Sequence, residues 1–567
     1  MKKWLIKPKI KPELINKFPE IHPVILQLLA DRNLTNQKDI DEFLMPDYSQ
    51  DIHDPYLFSQ MKKAVKRIYQ AVDKKQKVII YGDYDADGVC GSAILAKTFK
   101  KIGVDFEVYL PSRELEGYGL NQVAVTELAK NQNKLLITVD CGISNVEEVN
   151  LANKLGLEVI ITDHHHVPEN LPKAFAIIHP GLDKNYPFND LAGGGVAFKF
   201  AQAILRSQES KLKQTESEVF EKWLLDLVAV STIADMVPLV GENRTLVKHG
   251  LIVLSKTKNL GLQKLIEVSG IKTDRMDNYV VGWQIAPRIN AAGRMEHANS
   301  AYKLLTTENI EEAITISHGL NKRNQERQAL TERLINESIS QLGEFGEKLP
   351  VLFAQGEDWP AGIIGLVSSK LTNKFARPSI VLTKSDNNYV ASGRSIEEFN
   401  LIESLDDHKD FFERYGGHSG AAGFTIKQEK LEDFQKKFLA YAKKKLSKIE
   451  LLSKITIDTA ITLKEIDWQL IELLLKFEPF GQGNFKPKFL LKNLEVVLVE
   501  SVGQDSKHLR LIVKENNLQR KVICFGFGES ELKVEDKIDL VCEIGVNEWN
   551  GNREIQLSMV DYKFVHN

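Results

Sequence analysis

Four short apolar runs rich in β-branched residues, at 77–81 (KVIIY), 104–110 (VDFEVYL), 135–139 (LLITV) and 157–162 (LEVIIT), constrain this chain more than any other feature. Helical stretches at 89–101, 122–130 and 146–155 separate them. Strands that are continuously apolar, rather than alternating, are buried on both faces; with helices between them they imply a parallel sheet. Residues from about 75 to 250 are therefore expected to form an open α/β domain. In such a sheet, ligands bind outside the carboxyl ends of the strands. Those ends read Gly82-Asp83-Tyr84-Asp85-Ala86-Asp87-Gly88, then Asp140-Cys141-Gly142, then Asp163-His164-His165-His166. Three strands thus deliver carboxylates and imidazoles to one edge.

Other readings of these residues leave something over. A lone Asp after a strand is ordinarily an N-cap, but capping does not explain five Asp residues and a His pair at one edge. The D-x-D-x-D-G spacing opens like a calcium hand, yet position 12 counted from Asp83 is Ile94, not the required Glu. D-x-D-G also resembles the nucleophile motif of haloacid-dehalogenase-type phosphatases, which leaves Asp140 and the His cluster unexplained. Mixed Asp/His ligation suits Mn²⁺ or Mg²⁺ better than a structural zinc site. The excess of carboxylates favours two ions ~3.5–4 Å apart sharing one of them, the arrangement used in phosphoester cleavage. A further acidic pair, Asp226 and Asp235, stands nine residues apart. On a straight helix at ~100° per residue the two face opposite sides, so one of them reaches the metals. Asp235, beside the Pro238 break, is the expected one.

The remaining sequence reads as further modules. At 567 residues, and ~150 per domain, the chain has room for three or four. Hydrophobic content of 43% and charged content of 27% exclude wholesale disorder. The formal net charge of −3 excludes a global polycation but not a local basic groove. Cys90, Cys141, Cys524 and Cys542 form no C-x-x-C pair and read as reduced thiols. The opening MKKWLIKPKIKPEL lacks the apolar core of a secretory signal, and no segment offers the ~20 apolar residues of a membrane span. A soluble, cytoplasmic protein is expected. Its expected divisions are an N-terminal helical segment (1–60), a catalytic α/β domain (61–260), a helical connector (261–345), a second α/β domain (346–448) and a small antiparallel barrel (449–567).

With these residues in place, the chain resembles the DHH phosphoesterase superfamily and, within it, the RecJ family of single-strand-specific exonucleases. The resemblance rests on YGDYDADGVCG (81–91), LPSRELEGYGL (110–120), TVDCGISN (138–145), TDHHH (162–166), LAGGGVAFK (191–199) and STIADMVPL (231–239). RINAAGRM (288–295), SGRS (392–395), GGHSGAAGF (416–424) and FEPFGQGNFKP (477–487) extend it downstream. It implies a parallel-sheet DHH domain, a long connecting helix, a DHH-associated domain and a C-terminal OB-fold barrel. It implies that Asp83, Asp85, Asp87, Asp140, His164 and Asp235 serve two Mn²⁺ or Mg²⁺ ions, with Asp140 shared. Asp163 and His165 are supports, and Asp140, His164 and His165 the catalytic group. Many relatives begin the first motif with His where this chain has Tyr81, so the first ion has fewer protein ligands.

For the substrate, Arg113, Arg294, Ser392, Arg394 and His418 are expected to grip a terminal phosphate. Lys322, Arg323, Arg327 and Arg333 on the connecting helix are a candidate channel wall. Trp549, Phe525, Phe527, Lys507, His508 and Arg510 are candidate contacts in the barrel. The implied partners are single-stranded DNA entered at its 5′ end, a single-strand-binding protein and a helicase, with the chain a monomer and no membrane involved. Alternatives are a DHH-type phosphodiesterase of short oligonucleotides or cyclic dinucleotides, and a binding protein that has lost its metals. The latter is disfavoured because all the core acidic and His positions are present.

Overall fold

The computed structural model describes residues 2–565, apart from 114, 132, 344–347 and 550. The chain forms two compact units. One comprises Met1–Ile52, Met236–Lys248 and Ser453–Asn567, and the other His53–Asp235 and His249–Leu452. No helix among the described residues is long and apolar enough to cross a membrane.

Strand β1 (Lys3–Ile6) opens the first unit and pairs in parallel with Lys454–Ile457. The sequence reading gave this region only helices; four residues at the very terminus carry too little periodicity to reveal a strand. The second unit begins with the expected sheet. Its strands β2 (Val78–Gly82), β3 (Phe106–Tyr109), β4 (Leu135–Val139), β5 (Glu158–Thr162) and β6 (Ala176–Ile178) run in the order β3-β2-β4-β5-β6. All pairings are parallel. β2 and β4 are wholly buried, which is why they read as unbroken apolar runs. The chain turns outward from β2 to β3 and then crosses back to β4, so the switch point lies between β2 and β4. The β6 edge strand adds a member the periodicity did not show.

A second sheet in the same unit holds β7 (Leu352–Gly356), β8 (Ser379–Ser385), β9 (Asn388–Arg394), β10 (Phe412–Gly417) and β11 (Ala421–Lys427), ordered β10-β11-β9-β8-β7. Helix Ala361–Phe375 and the 33-residue helix Ile310–Leu342 share an apolar core with it through Ile363, Val367, Leu334 and Leu342. A separate core with Phe434 and Phe438 lies under helix Gln428–Leu446. The Gly-rich stretch around 416–424, recognised from sequence only as a family motif, is a β-hairpin. Gly weakens strand propensity, and here pairing with β9 from Ala421↔Arg394 to Lys427↔Asn388 overrides that.

In the first unit, strands β12 (Lys454–Ile457), β13 (Thr459–Ala460), β14 (Phe489–Val502), β15 (His508–Glu515), β16 (Leu518–Cys524), β17 (Lys537–Trp549) and β18 (Asn552–Phe564) follow. The last five close a barrel in the cycle β14-β15-β16-β18-β17-β14. It is antiparallel except at β16–β18, where closure brings two same-direction strands together. Phe18, Leu26, Leu29 and Phe43 from the N-terminal helices share one core with Leu470, Phe477, Phe489 and Leu540. Arg244, almost fully buried, stacks on Phe43 and donates to the carbonyls of Phe43, Lys476, Phe477 and Glu478.

Candidate metal centre and its arginine rim

The first acidic segment is shaped by helix capping. Asp85 caps helix Ala86–Ile102, its Oδ1 accepting the N–H groups of Asp87 (2.9 Å) and Gly88 (3.2 Å). The Ala86 N–H is taken by Asn290 Oδ1 at 2.8 Å. Asp87, buried one turn inside, accepts the N–H groups of Gly193 (2.7 Å) and Gly194 (2.8 Å), which open helix Gly193–Leu205, and the Ser231 hydroxyl. That approach demands glycine. A Cβ at 193 would lie 2.6 Å from Asp140, and one at 194 would lie 2.3 Å from Ser231 Oγ.

The other candidate ligands come from β4, β5 and a helix end. Asp140 follows β4 in the left-handed region, φ +62°, with its N–H on the Thr162 carbonyl at 3.0 Å. Asp163 Oδ1 accepts the backbone N–H of His164 (2.7 Å) and His165 (3.1 Å) and lies 2.8 Å from His165 Nδ1, while Oδ2 accepts the Ile143 N–H at 2.9 Å. Burial raises the Asp163 carboxyl, but the hydrogen bond and charge of His165, with these amides, outweigh it and hold it below the usual range. Burial likewise lowers His165, but Asp163 reverses this and leaves it raised. Asp235 is the C-cap of helix Leu225–Ala234.

These groups converge. His164 Nε2 lies 3.1 Å from Asp140 Oδ1, 3.6 Å from Asp235 Oδ2 and 3.7 Å from Asp87 Oδ2. Three overlapping sets could each hold an ion: Asp83 with Asp85 and Asp140; Asp87 with His164 and Asp235; Asp140 with His164 and His165. Asp83 Oδ1 is buried without a hydrogen-bond partner, and Asp140 Oδ1 and His164 Nε2, equally buried, have only their 3.1 Å approach to one another in place of one. Buried polar atoms left so are costly unless something completes them. Burial, and then mutual repulsion, pushes Asp83, Asp85 and Asp140 upward and Asp235 up to about 9, while burial holds His164 down and neutral. Carboxylates crowded into a dry site, with a neutral imidazole beside them, are a donor set that a divalent cation would satisfy.

Beside this cluster stands an arginine rim. Arg113 follows β3 and lies over the Tyr84 ring at 5.3 Å. Arg294, near the end of helix Ala286–Met295, donates to the Gly362 carbonyl at 2.9 Å. Arg394 closes β9 and donates to Ser392 Oγ at 3.2 Å. Burial first, then the charges of Arg113, Arg327 and Arg394, lower Arg294 to about 10 against a contrary pull from Asp85. Burial and then Arg113 lower Arg394 in the same way. Three guanidiniums are therefore close enough to repel one another at the edge of the acidic site.

Of the residues singled out from sequence, Asp83, Asp85, Asp87, Asp140, His164, His165 and Asp235 are brought together, and Arg113, Arg294, Ser392 and Arg394 form the adjoining rim. His418 lies exposed in the β10–β11 turn. Asp226 points elsewhere and accepts the Thr257 hydroxyl at 2.5 Å. Several supports escaped the sequence reading. Tyr118 Oη sits 3.1 Å from the Asp140 carbonyl and 3.0 Å from His165 Nδ1. His179 Nε2 donates to the His165 carbonyl at 2.7 Å, at the end of the unread strand β6. Ser231 and Asn290 lay inside recognised motifs without any signal of their role.

Comparison with known proteins bears on the same segments. The chain matches the DHH family N-terminal domain over residues 77–232, the DHHA1 domain over 348–444 and the RecJ OB domain over 457–561. It is 35% identical to the single-stranded-DNA-specific exonuclease RecJ of Bacillus subtilis, over 99% of this chain and 70% of that protein. With RecJ of Haemophilus influenzae the identity is 31%, over 95% and 96%. The chain belongs to the RecJ family. The crystal structure of Thermus thermophilus RecJ in complex with Mn²⁺ superposes with a TM-score of 0.84 at 26% identity, covering all of this chain and 80% of that one. In this RecJ-family chain the DHH match holds the strand-end Asp and His residues and the DHHA1 match holds Ser392, Arg394 and His418. Asp235 and Arg294 lie between those two matches.

Proposed function

We propose that the protein is a metal-dependent exonuclease that hydrolyses single-stranded DNA from its 5′ end to mononucleotides, in DNA repair and recombination. The observation that carries this reading is the juxtaposition of an acidic, partnerless-atom cluster with a rim of guanidiniums drawn from β3, the connector and β9. Phosphodiester cleavage at a terminus needs both halves: a site for the reacting phosphate and a grip for the end.

Asp83, Asp85, Asp87, Asp140, His164 and Asp235 would hold two divalent ions, Mn²⁺ or Mg²⁺, with Asp140 shared between them as the RecJ resemblance implies. When bound, such ions lower the pKa of water and offset charge on the phosphoryl oxygens. The chain's own groups do the positioning. Gly193, Gly194 and Ser231 fix the Asp87 carboxylate, and Asp163 fixes His165 and its charge. His165, oriented by Asp163 and shifted by it toward the protonated form, would face the scissile phosphate as negative charge grows there. Arg113, Arg294 and Arg394, with Ser392, would take the terminal phosphate. Asp83 and Asp140 are 3% exposed, so a scissile phosphate must descend among them, which a flexible single strand can do and a stiff duplex cannot. The 5′ polarity rests on the RecJ resemblance, since residue placement alone permits either end. A single-strand-binding protein and a helicase are the partners this reading implies.

The test is degradation of a long single strand, its duplex form and a dinucleotide, each with Mn²⁺ or with EDTA. Metal-dependent loss of the single strand, with the duplex spared, is expected. Rapid hydrolysis of the dinucleotide alone would replace this reading with a short-oligonucleotide phosphodiesterase, and full activity in EDTA would end the metal assignment.

A further inference from the structure

The connector presents two large aromatic side chains to solvent, Tyr279 and Trp283, each 62% exposed. Their rings stack on one another at 6.2 Å and 30°. Trp283 lies within, and Tyr279 just before, a π-helical turn, Val281–Ile285, an irregularity that concentrates at functional sites. That turn runs directly into the helix carrying Arg288 and Arg294. Eleven residues separate Trp283 from Arg294, ~16 Å along a helix axis. The facing helix, Ala361–Phe375, meets both ends of this stretch: its Gly362 carbonyl takes Arg294, and its Lys370 Nζ stands 5.9 Å from the Trp283 ring.

Between the two ends lies unneutralised positive charge. Arg327 donates to Asn324, but its Nε is buried without an acceptor. Arg288 is held by Asn321 and the Gln284 carbonyl. Neither is in an ion pair with a carboxylate among the described residues. Arg288 depresses Arg327 after burial does, and Arg327 in turn depresses Arg294. The three guanidiniums are therefore near neighbours, with Arg288 on the helix that follows the turn holding Trp283 and Arg294 at that helix's far end.

We propose that Tyr279 and Trp283 are a stacking platform for bases of the single strand a few nucleotides inward of its gripped end, with Arg327 and Arg288 holding the phosphates between. This rests on the exonuclease reading. Nucleic-acid bases suit this surface better than a protein partner, because Lys370 stands beside the aromatic pair and Arg288, Arg327 and Arg294 lie on the same stretch as the acidic site's rim. Single strands bind in this way, backbone on a basic track and bases on aromatic faces. At ~3.4 Å per stacked nucleotide, ~16 Å corresponds to about five nucleotides, so a dinucleotide gripped at Arg294 does not reach the platform.

The experiment measures affinity in EDTA of the full chain for 5′-phosphorylated single strands of two to about twelve nucleotides. The wild type is expected to gain affinity as length passes about five. Trp283→Ala should erase that gain, a loss of about ten-fold or more on the longest strand, while Trp283→Phe keeps most of it. Arg327→Gln should lower the salt slope by about 0.7. Wild-type length dependence in a folded Trp283→Ala protein that still cleaves single strands would overturn the platform alone. A wild type that neither binds nor cleaves single strands would overturn the exonuclease reading with it.

Discussion

Asp140 combines a left-handed backbone, a buried orphaned oxygen and a place in two of the three ligand sets. Holding a non-glycine residue at φ +62° costs about 1–2 kcal/mol, less for Asp, whose side chain bonds locally. Without a cation the same carboxylate also adds repulsion to its neighbours. Asp140→Ala is therefore expected to lose hydrolysis by more than about a hundred-fold, since even outer partners of metal ligands are worth ~10–100-fold. Metal-free thermal stability should hold or rise, and added Mn²⁺ should raise the melting temperature of the wild type more than that of the variant. Wild-type turnover in the variant at saturating Mn²⁺ would remove Asp140 from the mechanism. Asp226 and Asp235 separate at this scale too. Burial raises Asp226 to about 6, against the Thr257 and Leu227 hydrogen bonds. A carboxyl raised in the folded state destabilises it when ionised: the cost is absent below the unfolded value near 3.8 and complete above about 6, up to about 3 kcal/mol. Asp226→Asn should flatten stability between about pH 4 and 6 and leave the metal response intact, whereas Asp235→Asn should abolish that response. A metal response lost in Asp226→Asn would reverse the two roles.

The elements show why some of this was legible in sequence and some was not. Strands β2, β4 and β5 are buried on both faces, so they read as apolar runs, and their last residues pointed straight to Asp83, Asp140 and His164. The barrel was legible as several short strands without a helical crossover, with the strand lengths and the parallel β16–β18 closure missing. β1 and β6, at four and three residues, are held by pairing rather than by pattern, and His179 was lost with β6. The β10–β11 hairpin was hidden because glycine is a poor strand former whose conformation here is imposed by β9. The expected barrel contacts fare unevenly: Phe525 is 64% exposed and packs on His508, while Phe527 is half-buried. Trp549 has its side chain outside the described residues. Helix Gly193–Leu205 supplies an element-level prediction. A Cβ at Gly194 meets Ser231 Oγ at 2.3 Å and Asp87 Oδ1 at 3.3 Å. Gly194→Ala should therefore destabilise the unit by about 1–3 kcal/mol and weaken metal binding by displacing Asp87, read by melting and Mn²⁺ titration. An unchanged Mn²⁺ affinity would mean the glycines serve packing only.

The whole molecule carries a net charge of −3 yet is proposed to act on a polyanion, so recognition must rest on local arrays of cations rather than on overall attraction. It also limits how its parts can be tested. The barrel at 449–567 was read from sequence as a domain of its own, but it shares a core with the N-terminal helices and holds Arg244. Truncation there would strip that core, so point substitutions are the cleaner probe. The decisive one concerns the end grip. An exonuclease acts from a terminus, so something must bind the end and stop the strand sliding past the metals. Arg113, Arg294 and Arg394 repel one another and line the acidic site, an arrangement that a doubly charged terminal phosphate would relieve and a hydroxyl would not. Each charge-assisted hydrogen bond is worth about 1.5–3 kcal/mol, so a 5′-phosphate should be preferred over a 5′-hydroxyl by at least about ten-fold in kcat/KM. Ser392 accepts from Arg394 and would share the same phosphate oxygen's surroundings. Arg394→Ala should bring the two rates together chiefly by slowing the phosphorylated strand, and a blocked 5′ end should be slow with both proteins. Equal wild-type rates on all three ends would eliminate the end grip, and mononucleotides released first from the 3′ side would eliminate the polarity.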